Sequence, residues 1–271
     1  MSNDIKEALE ASDRAYPGVT VFSAQDQKRN WSQSFSTNLA SLLTKQLASR
    51  EGVFKAAVAG ERPVIKAGGG NKRTDVRVSD EINGLSMVLS IKTTNFRDYQ
   101  KRSRISDYNH NLDRFDNEFA AEAAAIHVRH PFAVLIGLFF LPHESVVPRT
   151  AGRPSGFARW VNRLKLRAGR DGHDGRPELF ERIYVGLYVK DGPARGAVAF
   201  FDVGRQPPKF GFPDDDEVLT LEQLLDAVVA EFESRNPNRE SFADPGSWTS
   251  RHLGSVPEHF ERLGYTPLNE P

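Results

Sequence analysis

Asp75 and Lys92 stand seventeen residues apart, and Ser90 and Ile91 immediately precede the lysine. Hydrolysis of a phosphodiester with a divalent metal requires carboxylates that hold a hard cation through oxygen, and a positive charge near the attacking water and the pentavalent phosphorus. A β-hairpin can bring these groups together. Residues 74–78 and 85–92 both have strand character, and residues 79–84 between them end in Asn83-Gly84, a strong turn signal. Pairing across that turn sets Asp75 roughly opposite Lys92. Side chains alternate with a period of two, so Ser90 and Lys92 share a face, while Ile91 points away with its carbonyl able to face the site. Arg77 lies on the face of Asp75, where it could help hold phosphate.

Other elements must position this hairpin. Residues 1–30 are polar and weakly periodic, consistent with an arm or short helix. Phe35, Leu39, Leu42, Leu43 and Leu47 recur at helical spacing and predict a helix over 32–49, followed by a short strand at 63–66. A second helix is expected over 113–130, ended by Pro131, and then an apolar strand over 132–141 buried on both faces. At about 100° per residue, Glu122 falls inside the stripe of Phe115, Phe119 and Ile126, with Glu118 one turn earlier at its edge. A carboxylate there faces the sheet and needs a partner such as a metal or a lysine, because an unpaired buried charge costs several kcal/mol. Further on, a basic helix is expected over 157–166, a second hairpin from 183–189 and 197–203, and an acidic amphipathic helix over 219–232.

The order helix, three strands, helix, strand, with Asp75 followed by Ser90-Ile91-Lys92 on the hairpin, resembles the PD-(D/E)xK nuclease superfamily, which includes many type II restriction enzymes. The resemblance covers about residues 31–142. It implies an α/β fold with an αβββαβ core, a mixed central sheet flanked by helices, to which the later hairpin and helices are additions. It implies Mg²⁺, with Mn²⁺ as a substitute. Asp75 would be a metal ligand, the Ile91 carbonyl a further ligand, and Lys92 the group that orients or activates water. Thr74 stands where the motif has proline, and Ser90 where it has a second carboxylate. A subgroup similar in this respect has Ser-x-Lys on the strand and recruits a glutamate from the following helix. By that analogy Glu118 completes the metal site, with Glu122 as second choice. In some members an acid on the first core helix contributes, and the nearest polar residue here is the neutral Gln33. The implied activity is cleavage of double-stranded DNA in a restriction or phage-defence setting by a homodimer; the alternative is a nuclease-fold DNA-binding module without activity.

Composition narrows the remaining possibilities. The chain has 271 residues and no cysteine, which excludes disulfides, thiolate metal sites and cysteine nucleophiles. It suits a single elaborated domain, with a core at 31–142, additions at 143–240 and a polar tail at 241–271. Net charge is zero, but residues 55–176 hold 21 Lys and Arg against 13 Asp and Glu, so an electropositive middle is balanced by acidic ends. The expected DNA contacts lie there: Lys72, Arg73, Arg77, Asn95, Arg97, Lys101, Arg102 and Arg104 near the hairpin, and Arg159, Arg163 and Lys165 on the basic helix. The Gly68-Gly69-Gly70-Asn71-Lys72 run lacks P-loop spacing, so a flexible turn and no nucleotide cofactor are expected, and the histidines form no zinc pattern. The opening residues lack a secretory signal, and the longest apolar run is about half the roughly twenty residues of a membrane span. The expectation is a cytoplasmic bacterial or archaeal protein.

Overall fold

Alternation along the strands divides the apolar side chains into two layers, one on each face of a single large sheet. The computed structural model describes residues 4–50, 58–59, 64–67, 70–80, 84–97, 108–109 and 111–236; of 58–59, 64–67, 70–73 and 80 it describes the backbone alone. The helices are α1 (Lys6–Ala15), α2 (Gln25–Ala48), α3 (Leu112–His127), α4 (Gly156–Leu164) and α5 (Leu221–Arg235). The strands are β1 (Val58–Ala59), β2 (Val64–Ala67), β3 (Gly70–Arg73), β4 (Val76–Asp80), β5 (Gly84–Thr93), β6 (Val134–Pro142), β7 (Arg182–Tyr188), β8 (Val198–Asp202) and β9 (Val218–Leu219).

Seven of these strands form a mixed sheet in the order β1-β4-β5-β6-β7-β8-β9, in which β5, β6 and β7 are parallel and the other neighbours antiparallel. Met87, Leu89 and Ile91 of β5 point into a layer shared with Trp31, Phe35 and Leu39 of α2 and with Leu224 and Val228 of α5. Val88 points to the opposite layer, with Phe115, Phe119 and Ile126 of α3 and Trp160 and Leu164 of α4. Helices therefore cover both faces, and all nine residues of β6 are buried, as its unbroken apolar run requires. Among the described residues, no helix is long and apolar enough to cross a membrane.

Three expectations change. The first expected strand appears as β2, outside the large sheet: it pairs with β3, from Val64↔Arg73 to Ala67↔Gly70. Part of the glycine-rich run is thus extended strand, while Gly68 and Gly69 lie outside the described residues. Gly-Asn-Lys-Arg has little strand propensity of its own, so pairing rather than composition makes β3. The expected second hairpin is present as β7 and β8, and it extends the same sheet, because β7 pairs in parallel with β6 and β9 continues beyond β8.

The first thirty residues are also more ordered than an arm. α2 starts at Gln25, where Gln27 Oε1 accepts from the Ala24 N–H at 3.1 Å. α1 lies on α2 through buried Ile5 and Leu9, with Trp31 Nε1 donating to Asp13 at 2.8 Å and Asn38 Nδ2 to Ser12 Oγ at 2.9 Å. Its start is pinned by the Ile5 N–H to the Gly196 carbonyl at 2.9 Å. Gly196 has φ +94° and would set a Cβ 2.7 Å from Lys6 Cα, so glycine is required both for conformation and for space.

A buried charged cluster locks α3 to the sheet end opposite the carboxyl ends of the parallel strands. Glu181 accepts from the Leu135 N–H at 2.7 Å and from Arg170 at 3.0 Å, and lies 3.6 Å from His127 Nε2. Burial would raise the Glu181 pKa, but His127, the Leu135 amide and Arg170 outweigh it and hold it below the ordinary carboxylate value. A lowered folded pKa means that this stabilisation is present above the ordinary value of 4.5 and is lost as pH falls through the folded one. Glu181→Ala, which strands Arg170 in the interior, should lower the unfolding free energy by about 3–5 kcal/mol in urea titrations at pH 7, and the difference from wild type should shrink in acid.

Candidate active site

Both strands of the first hairpin deliver side chains to the same end of the sheet, where β5 and β6 finish and antiparallel β4 begins. In open α/β sheets this carboxyl end is where ligands bind. Val76 pairs with Leu89, so one further step places Ser90 opposite Asp75. The sequence had set Lys92 there. The observed register follows from closure at Asp80↔Gly84 and an irregularity between Val78 and Ser79, and it leaves Lys92 beyond the end of β4. Since the two registers differ by an even number of residues, Asp75, Ser90 and Lys92 still share the α3 face.

Asp75 Oδ2 accepts from the Ile91 N–H at 2.7 Å, a tether that fixes the carboxylate at the mouth of the hairpin. Ladder geometry turns the N–H and C=O of one strand residue to the same side, so the Ile91 carbonyl also faces the β4 side. Ser90 is fully buried between them, and its Oγ has no hydrogen-bond partner.

Lys92 Nζ donates to Glu122 Oε2 at 3.0 Å, with the glutamate only 5% exposed. α3 is held at the right height by Phe119, which lies against Gly137: a Cβ on Gly137 would approach the Phe119 ring to 3.0 Å. Gly137 is the β6 partner of Ser90, so the same contact sets Glu122, nearly one turn further on, at Lys92. Glu118 lies outward, 46% exposed and 3.6 Å from Arg114. The expected order of the two glutamates is therefore reversed in proximity, because the helix turns Glu122 rather than Glu118 onto the sheet. Burial would lower the Lys92 pKa, but Glu122, Asp75 and Glu118 outweigh it and raise the pKa above the usual 10.5. These acids favour the ammonium form of the side chain.

Oxygen donors suited to a hard cation are thus present in Asp75, the Ile91 carbonyl and Glu122, with the orphaned Ser90 hydroxyl beside them. Mg²⁺ is commonly held by one or two carboxylates and completed by water and substrate oxygens, so this donor set fits. Among the described residues, however, no three Asp, Glu, His or Cys side chains converge as a metal-binding group.

Most of the expected nucleic-acid contacts can be placed. Arg77 is half-buried on the Asp75 face. Arg97 is exposed and stacks over Tyr108 at 5.4 Å. Asn95 has a different role: it is buried, donating to Thr93 Oγ1 at 2.9 Å and accepting from the Tyr188 hydroxyl at 2.8 Å, so its amide shapes the end of β5 instead of reading bases. Arg163 is committed to Asp113 at 2.9 Å and Asp116 at 3.0 Å, while Arg159 and Lys165 are exposed on and just after α4. The side chains of Lys72 and Arg73, and all of Lys101, Arg102 and Arg104, lie outside the described residues.

A groove of about 630 Å³ opens beside Lys92 between α2, the 94–97 segment and the start of α3. Its α2 wall consists of Gln25, Asp26, Lys28, Arg29, Ser32, Gln33 and Ser36. The part of it from Gln25 to Arg29 was missed because the first thirty residues read as an arm. Its 3.6-residue spacing, flanking the stripe of Trp31, Phe35 and Leu39, is the signal that exposes it. Lys190, also missed, sits 3.7 Å from the centre of the Phe96 ring and 4.4 Å from that of Trp31, bracing the groove's far wall; burial pushes its pKa down to about 8.

Comparison with protein-family models, curated proteins and solved structures gives no match for this chain.

Glu122→Gln should lower the Lys92 pKa, because burial then meets less opposition, and Glu118→Gln should lower it less. NMR titration of the Lys92 side chain measures both shifts.

Proposed function

We propose that this chain is a Mg²⁺-dependent DNA endonuclease of the PD-(D/E)xK type, cutting duplex DNA in a restriction or phage-defence setting, with Mn²⁺ as an alternative ion. The reading is carried by one observation: a tethered carboxylate, a strand carbonyl and a Lys–Glu pair with a buried glutamate stand at one end of the sheet, with a buried serine hydroxyl that has no hydrogen-bond partner on the same face. On this reading the family's αβββαβ core would correspond to α2, β2, β4, β5, α3 and β6, with β2 displaced from the central sheet.

Asp75 and the Ile91 carbonyl, with Glu122 as the carboxylate in place of Ser90, would hold the ion. When bound, it would supply Lewis-acid stabilisation and a more acidic water. The Lys92 ammonium lies where it can hydrogen-bond a nonbridging phosphate oxygen or the incoming water, and it counters the charge that grows on phosphorus. Glu122 holds that ammonium in position, and the Ile91 N–H keeps Asp75 from swinging away. Cutting both strands of a duplex favours two copies related by a two-fold axis.

Wild-type protein with Mg²⁺ should cleave DNA, and Asp75→Ala and Lys92→Ala should each reduce the rate by about 10²–10³-fold or more. Glu122→Ala should fall with them and Glu118→Ala should lose less. Equal cleavage by wild type and the Asp75 and Lys92 variants would remove the site assignment, and cleavage surviving the double Glu118→Ala, Glu122→Ala variant would remove the recruited glutamate. A second reading, a nuclease-fold module that binds DNA without cutting, draws on the absence of a three-residue acid or histidine cluster among the described residues. Its signature is salt-dependent binding with no product at any Mg²⁺ or Mn²⁺ concentration.

A further inference from the structure

We propose that the groove between α2 and α3 carries the backbone of one nucleic-acid strand to the Lys92–Glu122 site, with Lys28 and Arg29 as its principal phosphate contacts. The proposal rests on the nucleic-acid reading above and deepens it by assigning the path. Among the described residues lining the groove, the cations are Lys28, Arg29, Lys92, Arg97 and Arg114, and Asp26 is the one acid; Lys92 and Arg114 are paired with Glu122 and Glu118, so Lys28, Arg29 and Arg97 carry the attraction. A net positive channel open to solvent along one side attracts a polyanion, and its continuity with Lys92 directs that polyanion to the reactive end of the sheet.

The α2 wall has the chemistry of backbone tracking. From Gln25 to Ser36 the helix advances about 16 Å at 1.5 Å per residue, long enough to face more than one phosphate of a strand. Between the two cations and the sheet the wall consists of neutral donors, Ser32, Gln33 and Ser36, of the type that hydrogen-bonds phosphate and sugar oxygens. Arg29 is exposed, and Lys28 uses one N–H on the Val21 carbonyl at 3.4 Å, which leaves two directed elsewhere.

The competing path lies along α4, and there two of the four cations from Arg159 to Arg167 are already committed. Arg163 and Arg167 converge on buried Asp116 at 3.0 and 2.6 Å, and Arg163 also reaches Asp113. These contacts fasten α4 to α3. Cations already neutralised by carboxylates release few counterions when DNA arrives, so they add little to affinity.

The experiment measures binding of a fluorescent 30-base-pair DNA duplex in EDTA, which prevents cleavage, from 50 to 300 mM NaCl. Wild type, Lys28→Ala/Arg29→Ala and Arg159→Ala/Lys165→Ala are compared, with circular dichroism verifying the helices and Lys28→Gln/Arg29→Gln as a second α2 pair. Losing two phosphate contacts should reduce the slope of log K against log salt by about 2 in both α2 pairs, and the α4 pair should leave it unchanged. Wild-type binding with an unchanged slope in the α2 pairs, or a loss confined to the α4 pair, would overturn the groove path and leave the nuclease reading intact. No wild-type binding even at 50 mM salt would overturn both.

Discussion

An ammonium and a carboxylate drawn out of water have to find each other, and in this protein that requirement joins the central strand to the helix that covers it. Lys92 ends β5 and Glu122 lies on the buried face of α3, 3.0 Å away. Removing either partner would leave the other uncompensated in the interior, at a cost of about 3–5 kcal/mol, so α3 has little freedom to slide or roll. Apolar contacts agree with the charge. Phe119 packs on Gly137, and Phe115 meets Phe139, which stacks on Trp160 at 4.1 Å, so helix, sheet and α4 share one packing arrangement. Five residues beyond Glu122, at the C-terminus of α3, His127 is held in the Glu181 and Arg170 cluster. The C-terminal half of the helix is thus fixed by charge and the part before it by aromatic packing.

Topology explains why reactive groups gather at one end. Parallel β5 and β6 finish there, and β4, running the other way, begins there, so the first residue of one strand and the last of another are neighbours. Backbone polarity assists: the N–H that would have continued the β4–β5 ladder is free to bind the Asp75 carboxylate instead. Ser90 lies inside this arrangement with its hydroxyl unsatisfied, which is costly in a well-packed interior and is compatible with a site completed by something the chain does not itself supply. The proposed metal chemistry would place an ion within reach of that hydroxyl.

The cations divide into two populations that composition cannot separate. One group, around Asp116 and Glu181, consists of struts whose charges are cancelled by buried acids. The other lines the groove beside Lys92, where Lys28, Arg29 and Arg97 stand with Asp26 as the one acid among the described lining residues.

The sequence by itself determined the elements whose pattern repeats within a few residues. The hairpin of β4 and β5, the amphipathic faces of α2 and α3, the fully apolar β6, the shared face of Asp75, Ser90 and Lys92, and the need of Glu122 for a buried partner all follow from periods of 2 and 3.6 and from the cost of burying charge. The tertiary structure alone decided what depends on distance and register. It chose Glu122 over Glu118 at Lys92, put Ser90 rather than Lys92 opposite Asp75, moved β2 out of the sheet into a hairpin with β3, and joined the second hairpin to the first sheet. It also decided which arginines are struts, because Asp113 and Asp116 lie some fifty residues from the arginines they neutralise. Those outcomes are settled by which surfaces meet when the layers close, and a contact between residues far apart in the chain leaves no periodic trace along it.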